Sequence, residues 1–146
     1  MKKKVIISAC LLGEYCRYDA KTKKINTVIE AFKNYEIIPF CPEAPLFGTP
    51  RERISIIFRD GEERIVTHES DVDVTQSLGD EIDSFCKKHP QVDAIVLKSK
   101  SPSCGNGTTP ILNEKREHIS YGDGIAAKMF KNFYNNINLQ DETDFL

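Results

Sequence analysis

The sequence predicts an α/β fold, a single Rossmann-like three-layer domain on a mainly parallel sheet, with a β-hairpin inserted into the alternation. Three observations predict it. Short apolar runs rich in β-branched residues recur at 4–9, 36–40 and 94–97, as in strands buried on both faces. Segments of helical period follow or separate them, so the strands should be joined by right-handed crossovers and run parallel. Finally, Asp60-Gly61 between Ile54-Ser55-Ile56-Ile57-Phe58 and Arg64-Ile65-Val66-Thr67 is a two-residue hairpin signal.

Taken in order, the first strand stops at Ser8-Ala9-Cys10. Leu11 to Asp19 has neither period, and a basic stretch from Lys21 to Lys24 leads into a helix expected from Asn26 to Asn34. There Asn26 is the candidate N-cap, with Val28, Ile29, Phe32 and Tyr35 on one side. Pro39 suits the end of the second strand. Cys41-Pro42-Glu43 follows, and Ala44 to Arg53, with two prolines and a glycine, should form an ordered irregular loop or lid.

From Val74 to His89, Val74, Leu78, Ile82 and Phe85 are spaced by four, four and three, which buries one helix face. Asp71 or Asp73 should cap this helix and Pro90 end it. After the strand at 94–97 comes Lys98-Ser99-Lys100-Ser101-Pro102-Ser103-Cys104-Gly105-Asn106-Gly107, then a short extended piece at Pro110-Ile111-Leu112. Tyr121-Gly122-Asp123-Gly124 should open a last helix striped by Ile125, Met129, Phe130, Phe133 and Ile137. The acidic tail from Gln140 to Asp144 reads as solvated.

With 146 residues, 40% hydrophobic and 29% charged, the chain suits one domain, residues 1–146, with a core of its own. A net charge of -2 gives no global attraction to nucleic acid or to an anionic membrane, and neither is an expected partner. No apolar run approaches the roughly 20 residues that span a bilayer, and no secretory leader is visible, so the expected compartment is cytoplasmic. Five cysteines, an odd number in a chain able to build a core, argue for reduced thiols or metal ligands over a disulfide framework.

Loops after parallel strands emerge at one sheet edge, where open α/β folds bind ligands, so Cys10, Cys41 and Cys104 can meet. Three thiolates with no histidine beside them in sequence suit iron–sulfur chemistry better than a four-ligand zinc site. Glu43, two residues after Cys41, is placed to activate water or carry a proton; Ser101, three before Cys104, is placed to hydrogen-bond a substrate or relay a proton. The plainer alternatives are a surface carboxylate for Glu43 and, for Ser101 and Ser103, caps of the turn around Pro102.

Ser8-Ala9-Cys10-Leu11-Leu12-Gly13 with Arg17-Tyr18-Asp19, Cys41-Pro42-Glu43, and Lys98 to Gly105 together resemble the signatures of the 2-thiouracil desulfurase family. The resemblance extends to Asp73-Val74-Thr75 and Gly122-Asp123-Gly124. It implies an oxygen-sensitive [4Fe-4S] cluster held by Cys10, Cys41 and Cys104, whose fourth iron would draw electron density from a thiocarbonyl sulfur. It implies non-redox desulfuration of a small thiolated nucleobase or nucleoside to a carbonyl with release of sulfide, and points to Glu43 and Ser101 as the catalytic pair. In place of the family's glycine-rich turn after Glu43 stands Ala44-Pro45-Leu46-Phe47.

A non-catalytic module, holding zinc or a cluster and meeting a nucleic acid or protein through its basic loops, is the alternative function. Thiol redox chemistry through Cys10 and Cys16 lacks the Cys-x-x-Cys spacing of that class. Cys86, four after Ile82, reads as a core thiol, and Cys16 is open between an incidental thiol and a functional one. Lys98, Lys100, Arg51 and Arg53 form either an anion site or a solvated face. No histidine is assigned to metal, and Gly122-Asp123-Gly124 is at most a weak phosphate-cradling turn.

Overall fold

In the computed structural model, which describes residues 2–19 and 21–146, the predicted apolar runs form β1 (Lys4–Ser8), β2 (Glu36–Phe40) and β5 (Ala94–Leu97). They pair parallel, and a short strand, β8 (Leu139–Asp141), completes the order β2-β1-β5-β8. Side-chain alternation divides the core in two. Val5, Ile7 and Val96 face α1 (Asn26–Ala31), packing with Val28 and Phe32, while Ile6, Ile95 and Leu97 face α3 (Thr75–Lys88) and α4 (Ile125–Phe133), packing with Ile82, Cys86 and Phe130. Helices on both faces make this the expected three-layer arrangement.

The hairpin lies outside the parallel sheet. β3 (Ile54–Arg59) and β4 (Glu62–Thr67) join β6 (Thr109–Leu112) and β7 (His118–Gly122) in a second sheet ordered β4-β3-β6-β7. Its turn residues Asp60 and Gly61 both have positive φ, 53° and 80°, as a primed hairpin turn requires. The second sheet packs Ile54, Ile56, Ile65 and Ile111 on Val74 and Leu78. α3 therefore serves both sheets, with Leu78 toward one and Ile82 and Cys86 toward the other, and Cys86 is the core thiol expected of it.

Several local expectations are corrected. Ile25, not Asn26, is the α1 N-cap; Asn26 is the first helical residue and its side chain caps nothing, and the helix closes at Ala31, with Phe32 and Tyr35 continuing the packing beyond it. Ala44 to Phe47 is not irregular but belongs to α2 (Glu43–Phe47). Neither Asp71 nor Asp73 is the α3 N-cap, which is Val74; Asp73 accepts from the Thr75 amide at 3.0 Å, and Asp71 pairs with Arg59 and Arg116. Tyr121 and Gly122 end β7, so the last helix begins at Ile125, and it stops before Ile137. The acidic tail is solvated only in part: Asp141 ends β8 and is buried with Glu142, while Thr143 and Asp144 are exposed. Among the described residues no helix is long and apolar enough to cross a membrane.

Candidate functional site

β1, β2 and β5 end at the same edge, and each delivers a thiol there. β1 runs into a single 3-10 turn, Ala9–Leu12, closed by Gly13 at φ 100°. The Cys10 carbonyl accepts from the amides of Gly13 and Lys23 and from the Thr22 hydroxyl, which fixes Cys10 against the chain that folds back over it. Cys41 follows β2 directly, before Pro42 and the one-turn helix α2. Cys104 arrives on the longer loop after β5.

That loop is held by its own polar groups. Ser101 Oγ accepts from the amides of Ser103 and Cys104, at 3.2 and 3.1 Å, and Thr109 Oγ1 donates to the Ser101 carbonyl at 2.6 Å. A Cβ on Gly105 would sit 2.0 Å from Thr109 Oγ1, and one on Gly124 2.6 Å from the Ser103 backbone, so both positions need glycine for close approach. The α4 start is seated on the loop: the Gly124 amide donates to Gly105 O and the Ala126 amide to Ser103 O, each at 2.7 Å. Gly122-Asp123-Gly124 thus seats the cysteine loop, with Asp123 accepting from the Gly107 amide, instead of cradling a phosphate.

The three loops enclose a cavity of about 420 Å³, whose lining includes Cys10, Cys16, Cys41 and Cys104 together with Glu43 and Ser101. It is strongly basic: Arg17, Lys23, Arg51, Arg53, Lys98 and Lys100 line it against the single carboxylate of Glu43. Glu43 is held from both sides. Its Oε2 accepts from the buried Ser103 hydroxyl at 2.7 Å and its Oε1 lies 3.4 Å from Arg51, the side chains being only 12% and 6% exposed. Arg51 is fixed in turn by Gly48 O and Thr49 Oγ1. Such a desolvated pair is costly to break from either side.

A second buried ion pair stands behind the cysteine loop. Glu142 accepts from the Ser99 amide and hydroxyl, at 2.8 and 2.6 Å, and pairs with Lys98 Nζ at 3.0 Å. Burial works against the Glu142 charge, but the bonds from Ser99 and Lys98 outweigh it and hold the carboxyl below its usual range. Burial pushes the Cys10 thiol up to about 11, opposed chiefly by the nearby Lys98 ammonium. It raises Cys104 as well, against a hydrogen bond with Ser8. Cys41 moves the other way: its hydrogen bond with the Cys16 thiol outweighs burial, and with the Ala44 amide draws it down to about 7. The same bond raises Cys16.

All five residues singled out from the sequence, Cys10, Cys41, Cys104, Glu43 and Ser101, line this one cavity, as do Arg51, Arg53, Lys98 and Lys100. Ser101 takes on the plain role, capping the Cys104 turn, while still facing the cavity. Cys16 is a free thiol whose carbonyl lies 3.8 Å from Cys41 Sγ. Sequence reasoning missed Glu142 and the bond from Ser103 to Glu43. Ser103 lay inside a motif already in view; nothing in the tail beyond the apolar Leu139 and Phe145 marked Glu142 as buried. Arg17 and Tyr18 were seen only as part of a signature. The guanidinium groups of Arg17 and Arg53 both lie over the Tyr18 ring, 5.6 and 5.2 Å from its centroid, and the ring lines the cavity.

A parallel α/β sheet whose strands lead three thiols, with Cys16 and a clamped carboxylate beside them, to one basic cavity defines a class of α/β proteins with a cysteine-lined cavity. Within it the chain belongs to the 2-thiouracil desulfurase family, which it matches over residues 5–142. Protein YbbK of Bacillus subtilis strain 168, uncharacterized, is 32% identical over 139 residues, covering 87% of this chain and 89% of that one. Among solved structures, that of the [4Fe-4S]-dependent thiouracil desulfidase TudS is similar at TM-score 0.73 and 33% identity, over 98% of this chain and 93% of the other.

Proposed function

We propose that this protein is a [4Fe-4S]-dependent desulfidase of small thiolated nucleobases or nucleosides, with Cys10, Cys41 and Cys104 holding the cluster. The observation that carries the reading is the convergence of the three strand-end cysteines on one cavity that also holds Glu43 and Ser101. The donor set fits the group. Sulfur is the soft ligand that iron–sulfur clusters use, and the six cations lining the cavity suit an anionic assembly of thiolates and iron. The cavity volume lies within the range of small-ligand sites.

When bound, such a cluster supplies a Lewis-acidic iron without a thiolate ligand, to which a thiocarbonyl sulfur can bind. The protein's own groups do the rest. Arg51 and Ser103 hold Glu43 as an oriented carboxylate, suited to take a proton from the water that attacks the thiocarbonyl carbon. Ser101 Oγ already accepts two amide bonds, which leaves its O–H to donate to a substrate oxygen or ring nitrogen. Lys98, fixed by Glu142, is a cation of the cavity lining close enough to Cys10 to favour its thiolate. The stacked Arg17, Tyr18 and Arg53 offer a flat wall against which a pyrimidine ring can lie.

The test is anaerobic reconstitution with iron and sulfide followed by incubation with 2-thiouracil. The expected result is a broad visible absorption band and equimolar sulfide and uracil. A cluster-bearing protein that releases sulfide from no thiolated base or nucleoside would favour the non-catalytic module instead.

A further inference from the structure

We propose that Cys16 and Cys41 form a site of reversible oxidation, closing to a disulfide when the cluster is absent and hydrogen peroxide is present, and so preserve Cys41 for reloading. The disulfide rests on the closeness of the two cysteines alone; its usefulness rests on the proposed role of Cys41 as a cluster ligand.

The four cavity thiols are not equivalent. Cys10 and Cys104 are buried, at 8% and 5% exposure, on loops held by several backbone bonds, whereas Cys16 and Cys41 are both partly exposed. Cys16 and Cys41 are neighbours in the cavity wall: Cys41 Sγ lies 3.8 Å from the Cys16 carbonyl oxygen, although the residues are 25 apart in sequence. Cys16 sits in the irregular chain between the 3-10 turn and α1, outside any helix or strand. Closing the short gap to a bonded pair therefore breaks no ladder and unwinds no helix. No other function found in the site uses Cys16.

The chemistry balances with peroxide as the only added reactant. Cys41 sulfur attacks one peroxide oxygen, the O–O bond breaks, and a sulfenic acid and one water result. The Cys16 thiol then attacks the Cys41 sulfur, the S–O bond breaks, and a second water leaves. Two thiols lose two electrons and two protons, and peroxide is reduced to two waters. Without a neighbouring thiol the sulfenic acid proceeds to sulfinic acid, which ordinary reductants do not reverse. A disulfide at the same place is undone by a thiol.

The experiment uses the full-length chain, purified without air and stripped of iron, exposed to hydrogen peroxide, then analysed by intact mass and peptide mapping before and after dithiothreitol. Wild type should lose about 2 Da, yield a Cys16–Cys41 linked peptide, and after reduction load iron to the untreated level. Cys16→Ser should load iron normally before peroxide, gain about 32 Da at Cys41 after it, and stay unable to load iron after reduction. Sulfinic acid at Cys41 in wild type as fast as in Cys16→Ser, or a disulfide joining Cys41 to Cys10 or Cys104 instead, would overturn the proposal. So would loss of iron loading in untreated Cys16→Ser, which would make Cys16 a ligand. If neither protein ever loads iron while the linked peptide still forms, the disulfide stands and the cluster reading fails.

Discussion

In the parallel sheet Val5, Ile6, Ile7, Ile95, Val96 and Leu97 are all at 0% exposure, whereas β7, the edge of the second sheet, is exposed along nearly its whole length. The first sheet is clamped between helices and places Cys10, Cys41 and Cys104 at its strand ends. The second contributes Ile54, the first residue of β3, and the loop before it contributes Arg51 and Arg53 to the cavity wall. On the proposed function, the thiols that would hold the cluster follow the part of the fold least able to shift, and the loop that leads into the second sheet would shape access. Glu43 joins the two, since it follows a strand of the first sheet and is gripped by Arg51 from the loop that leads into the second.

The sharpest way to probe this division is at the junction. Glu43→Gln should lower sulfide release by on the order of 10²–10⁴-fold while leaving iron per chain unchanged, which separates proton transfer from cofactor holding. Unchanged turnover would remove Glu43 from the chemistry. Next comes the rigidity of the Cys104 loop. Gly105→Ala drives a methyl into Thr109 Oγ1 and breaks its bond to Ser101, so urea unfolding should show a loss of about 1–3 kcal/mol. A stability equal to wild type would show that the loop gives way without cost.

Glu142→Gln tests the buried support behind Lys98. The folded state holds this carboxyl below its usual value, so its stabilising effect is present above the unfolded pKa of about 4.3 and is lost as pH falls through the lower, folded value. The variant should be less stable than wild type by about 2 kcal/mol at neutral pH, the gap closing in acid below about pH 4. A gap independent of pH would assign the loss to packing. The smallest effect belongs to the exposed edge: Ile119→Thr on β7, at 51% exposure, should change stability by no more than about 0.5 kcal/mol and leave iron content and turnover alone. A loss of iron there would contradict the separation of the two sheets.

The same contrast explains what could be seen in the sequence. Strands buried on both faces read as unbroken β-branched runs, the α3 stripe fell at helical spacing, and Asp60-Gly61 marked its hairpin, so these elements were legible. β7 and β8 were not. The one is exposed along nearly its whole length and carries no buried stripe, and the other is three residues long and pairs only with β5. The helix Glu43–Phe47 was hidden by Pro45, which the first turn tolerates because its amide would have no intrahelical partner. In the site, the cysteines were legible because each follows a strand, and Glu43 because it adjoins one. The Ser103–Glu43 and Ser99–Glu142 bonds span 60 and 43 residues, and no local pattern encodes contacts of that range.

The central claim is that three strand-end thiols hold one cluster, and counting metal tests it most directly. Iron and acid-labile sulfide per chain should be measured after anaerobic reconstitution for wild type, for Cys10→Ser, Cys41→Ser and Cys104→Ser, and for Cys86→Ala as the core control. The account predicts about four irons and four sulfides in wild type and the control, falling to below about one in each of the three site variants. A full complement of iron in any one of those three would contradict it.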